Sequence, residues 1–150
     1  MPSFTLSLLL LTAPVVAAPA PLPQQDRRSD RDRVQGEWEV SYEAVGVAVN
    51  AGESRDVVLL PASREGHTAT FTGGRLLWRF GGEMHSEDVA RLDRGRIDLT
   101  DVRSGRTWRG AYGLEGDKLT ICLSPEGEAA RPASLRLSRE GQRVYVLRRR

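Results

Sequence analysis

The sequence predicts an all-β domain, an antiparallel meander of about eight to ten short strands that closes into a barrel. Three observations predict it. From residue 34 onward, short segments alternate apolar and polar residues with period two, the mark of strands with one buried and one wet face. Glycine-containing turns separate these segments, and none is a convincing amphipathic helix; "EDVARLDR" (87–94) is the nearest candidate. A meander of this length removes its exposed edges only by closing on itself.

The elements follow in chain order. "FTLSLLLLTAPVVAA" (4–18) is apolar, then small. It is shorter and more proline-interrupted than a membrane-spanning helix, which needs roughly 20 apolar residues. It fits a secretory signal peptide over residues 1–17, with Val15 and Ala17 before the cut; Ala18 and Ala20 offer a second site, disfavoured by Pro21. No basic residue precedes Phe4. No cysteine follows the apolar run, so a lipoprotein anchor is not expected, and cleavage leaves no stable membrane anchor. Residues 18–33, Pro-rich and then charged, have no apolar face and read as a flexible linker. The barrel domain is expected over 34–150.

"VQGEWEVSY" (34–42) places Gly36, Trp38, Val40 and Tyr42 on one face. "RDVVLLP" (55–61) is a short apolar run ended by proline. "HTATFT" and "RLLWRF" flank Gly73-Gly74 and read as a hairpin, with Leu76, Trp78 and Phe80 sharing a face. "GRIDLTDV" (95–102) sets Ile97 beside Leu99. "RTWRGAYGLEG" (106–116) aligns Trp108, Gly110, Tyr112 and Leu114, and "KLTICL" (118–123) aligns Leu119, Ile121 and Leu123. "ASLRLS" (133–138) and "RVYVLRR" (143–149) complete the run of expected strands.

At 150 residues the chain suits one domain with one core. The net charge is only +2, and the basic residues, all arginine except Lys118, are interleaved with acids. A nucleic-acid surface needs clustered charge, so none is expected; the terminal "RRR" reads as a solvated run. Cys122 is the single cysteine, which excludes an internal disulfide, and its apolar neighbours predict a buried hydrophobe.

The motifs "VQGEW" (34–38), "GRTWRGAYGLEGDKLTICL" (105–123), "RPASL" (131–135) and "RVYVLRR" (143–149) resemble those of a planctomycete-type family of small exported domains of unknown function. That family reads "LQGTW", then "GKTxRGIYxLDGDxLxLC", then "RP" and a closing strand. The resemblance runs from about residue 34 to the end, with 50–95 matching only in pattern. It implies a lipocalin-like barrel whose first-strand tryptophan, Trp38, closes one end against an arginine of the last strand, such as Arg148. The family has no established catalytic residues to transfer, and no helix matching the lipocalin C-terminal helix follows the last strand.

The sequence carries no HExxH, paired-cysteine, phosphate-loop or nucleophile-elbow motif, so no catalytic residue, cofactor or metal is expected. The one cluster weighed is Glu83, His85, Glu87 and Asp88, with His67 as a distant partner, and it reads as an exposed polar segment. The function expected is binding of a small apolar ligand by Trp38, Tyr42, Trp78, Trp108 and Tyr112 inside the barrel. The alternatives are a solid-core structural or protein-interaction domain without ligand and, as a minor one, a metal-dependent enzyme using the 83–88 cluster. Gly36, Trp38, Gly110 and Arg148 are expected to be structural.

Overall fold

The computed structural model describes residues 29–51, 54–61 and 66–150; the side chains of 48–61 are not among them. The expected signal peptide and the linker up to residue 28 lie outside the described residues. The linker's end differs from expectation: Asp30–Arg33 form a helical turn, α1, capped by Ser29.

Nine strands follow: β1 (Gly36–Ala51), β2 (Ser54–Pro61), β3 (His67–Thr72), β4 (Arg75–Phe80), β5 (Glu83–Asp93), β6 (Arg96–Asp101), β7 (Thr107–Glu115), β8 (Lys118–Leu123) and β9 (Arg143–Arg149). Each of β3 to β8 pairs antiparallel with the next, and β1 pairs with both β3 and β9. The result is an eight-stranded antiparallel meander closed into a barrel, as expected. β2 stands outside the closure and pairs only with the second half of β1, Ala44–Ala51. The weak helix candidate at 87–94 belongs to β5, where cross-strand partners on both sides override its spacing.

The expected strand at 133–138 does not form. The middle of the segment between β8 and β9 instead straps the outside of the barrel. Leu135 and Leu137 cover Ala44, Cys122 and Val144 there, a small outer cluster apart from the main core. Arg131 anchors the strap, donating to the carbonyls of Ile97 and Gly110, each at 3.1 Å, and to the Asp98 carboxylate at 3.0 Å. The alternation of 135 and 137 is that of a cover on an apolar outer patch.

One end of the barrel is sealed. Trp38 is fully buried, and its indole N–H donates to the Val34 carbonyl at 2.7 Å. The Tyr112 hydroxyl donates to Asp30 of α1 at 2.8 Å. The cation over Trp38 is Arg149, 4.3 Å from the ring centroid, and not Arg148. Register is the reason: Trp38 lies opposite Arg149, whereas Arg148 pairs with Glu39 on the outer face. The Arg149 guanidinium also donates to the carbonyls of Arg33 and Gln35, tying the last strand to the segment before the first. Gly36, at φ +111°, takes the conformation that only glycine adopts easily as the chain turns from α1 into β1. Around this end pack Phe71, Leu76, Ile97, Leu119, Ile121 and Leu147, which fill the lower half of the barrel.

Candidate functional site

The upper half of the barrel is not filled. A cavity of about 750 Å³ opens at the end opposite α1. Two of its walls are aromatic. Trp78 of β4 lies with its ring 5.0 Å from that of Tyr145 of β9, and Phe80 and Trp108 extend the apolar surface. These side chains point inward because they continue the period-two faces that bury Leu76, Tyr112 and Leu147 lower down.

Two β-bulges change what the mouth presents. In β1 the register shifts between Val40 and Tyr42, leaving Ser41 as the extra residue. Side-chain parity flips there. Tyr42, expected inside, is therefore outside and exposed, while Glu43 turns inward and is buried at the cavity. In β5 the shift falls between Met84 and Ser86, so His85 is the extra residue. Both His85 and Ser86 border the cavity, and Glu87 turns out to pair with Arg75.

The expected ligand residues thus divide. Trp78 and Trp108 line the cavity. Trp38 and Tyr112 are interior but belong to the sealed half, and Tyr42 is outside. His67 and His85 each lie against the Phe80 ring, with centroid separations of 3.4 and 4.2 Å. Among the described residues, no three His, Cys, Asp or Glu side chains gather as a metal set, so the 83–88 cluster does not assemble as one. Cys122 faces away from the cavity under the strap, and burial pushes its thiol up to about 11.

Asp88 is the cavity's unusual group. It is 5 % exposed and accepts a hydrogen bond from the Trp78 indole N–H at 3.1 Å. Burial raises its carboxyl to about 6; the indole bond opposes the rise, and Asp101, its cross-strand neighbour, adds to it. Asp101 is spoken for by the next turn. It accepts from the Ser104 hydroxyl and from the backbone N–H groups of Ser104 and Arg103, which hold it below the usual range. Arg143, at the mouth, is held protonated by a hydrogen bond to Tyr145 and by the carboxylates of Glu43 and Glu126.

Of this lining the sequence pointed to Trp78 and Trp108, and not to Glu43, Tyr145 or Arg143. Tyr145 and Arg143 share a period-two face with Leu147 that was readable in "RVYVLRR". Glu43 was not readable, because its inward direction depends on the bulge. Comparisons with protein-family models, with curated proteins and with solved structures give no match, so the geometry of this half-open barrel carries the functional reading.

Proposed function

We propose that the domain is an exported, non-catalytic binder of a small organic ligand held in the open half of the barrel. One observation carries this reading: a cavity of about 750 Å³, sealed below by Trp38 and open above. Ligand pockets fall at roughly 300–1,000 Å³, and eight-stranded barrels either fill with side chains or enclose one small ligand. The alternative, a filled barrel acting only as a partner-binding scaffold, requires an interior without room, and the cavity argues against it. The lining also refines the expected apolar ligand: an apolar or aromatic body suits Trp78, Trp108 and Tyr145, and polar groups on it suit the ionisable side chains among them. Export rests on the leader read over residues 1–17, and neither a nucleic acid nor a membrane anchor is part of the proposal.

Native mass spectrometry of protein purified from its own host's periplasm or medium tests both parts. The expected result is a retained small mass on a chain cleaved after Ala17 or Ala20. Ser86→Trp, which places a large ring at the cavity wall, should lose that mass. A natively folded protein that carries no added mass, or a mass unchanged by Ser86→Trp, would sink the cavity reading.

A further inference from the structure

We infer that the ligand presents a cationic amine, which pairs with Asp88 inside the aromatic-walled cavity. This rests on the cavity being a ligand site and goes further by assigning the chemical class. Asp88 is buried, yet its described hydrogen-bond donor is a single neutral indole N–H. A buried carboxylate is costly unless a counter-charge meets it.

Among the described residues, no cation is paired with Asp88. On β6, the group opposite Asp88 is another carboxylate, Asp101. On β9, Arg143 is engaged by Tyr145, Glu43 and Glu126. Arg103 sits in the turn that Asp101 caps and acts on that carboxylate. The two histidines, from β3 and β5, stack on Phe80. Four carboxylates (Glu43, Asp88, Asp101, Glu126) line the cavity against two guanidinium groups (Arg103, Arg143), and Arg106 pairs with Glu126 at 2.7 Å, which leaves the balance acidic by one charge. That balance favours a cation over an anion. A cation gains the Asp88 carboxylate and the faces of Trp78, Trp108 and Tyr145, surfaces that attract ammonium groups. The donors around Asp88 do not form a three-ligand metal set among the described residues, which favours an organic cation over a metal ion. The raised pKa of Asp88 agrees: burial disfavours its charged form, and a cation beside it would favour that form again.

Titration calorimetry at pH 7.5 with three matched probes tests the inference: 2-phenylethylammonium, 2-phenylethanol and 3-phenylpropionate. The ammonium should bind at least about tenfold tighter than the alcohol, and the carboxylate most weakly. In Asp88→Asn, checked for folding by its melt, the ammonium-to-alcohol ratio should fall to about one. Equal binding of ammonium and alcohol by the native protein, or a preference that survives Asp88→Asn, overturns the amine and leaves the cavity reading standing. Failure of all three probes at millimolar concentration also overturns it, while the retained mass from the host still decides separately whether the cavity holds a ligand.

Discussion

Trp38 and Asp88 show opposite uses of burial. Trp38 places a large ring in the sealed end with its one polar atom bonded and a guanidinium over its face. Trp38→Ala should destabilise the barrel by roughly 3–5 kcal/mol, the range for large aromatic truncations in cores, and a denaturant melt reads it directly. Asp88 works against stability. Its pKa is about 6 in the folded barrel and near 3.8 when unfolded, so between those values the folded state keeps a proton that the unfolded state has released. Its contribution is therefore most favourable below about pH 4 and is lost as pH rises through about 6. Asp88→Asn cannot ionise. With allowance for water on the cavity side, it should stabilise the unliganded protein by roughly 1–2 kcal/mol at pH 7.5 and by almost nothing at pH 3.5, measured by urea melts at both. Equal effects at the two pH values would contradict the assigned burial. Gly110 is a packing position: a Cβ there would lie 2.6 Å from the Cys122 carbonyl oxygen and 2.7 Å from Leu123. Gly110→Ala should cost about 1–3 kcal/mol in the same melts, as overpacking does.

At the scale of elements, period two decided most of the structure. β3, β4, β6, β7 and β8 bury the faces their alternation announces. The bulges at Ser41 and His85 were not legible, because one extra residue reverses parity without altering composition, and only the partner strand reveals it. The strap was misread for a related reason: Leu135 and Leu137 alternate like a strand but find an outer apolar patch instead of a pairing edge. The strap also makes Cys122 a reporter. Arg131→Ala removes the side chain that holds the strap to Ile97, Gly110 and Asp98, and should raise the rate of Cys122 labelling by a thiol reagent more than the melt shift alone accounts for. Labelling that simply tracks global unfolding would show that the strap does not open by itself.

The whole molecule is a vessel with a packed base and an open upper half. The base was legible: an inward tryptophan on the first strand and alternating aliphatics on the others announce a closed, apolar end. The cavity was only half legible. Its aromatic walls follow the strand pattern, but its acidity comes from Glu43, which a bulge turns inward, and from Asp88, whose strand read as a polar segment or a weak helix. One continuous cluster of buried residues joins the base to the lower cavity wall. Tryptophan fluorescence and far-ultraviolet dichroism should therefore report a single coincident unfolding transition.

The seam between β1 and β9 sets the order of assembly. Arg149 donates to Gln35 across 114 positions of chain, and Ser41 to Val146 across 105. Hairpins from β3 to β8 can form as their residues emerge, since each strand meets its neighbour through a short turn. The cylinder itself cannot close until residue 149 is present, and until then two strand edges stay open to pairing with other chains. Contacts of such long range make closure the slow step, on the order of milliseconds to seconds, and the interval before it the period in which this chain is most prone to aggregate.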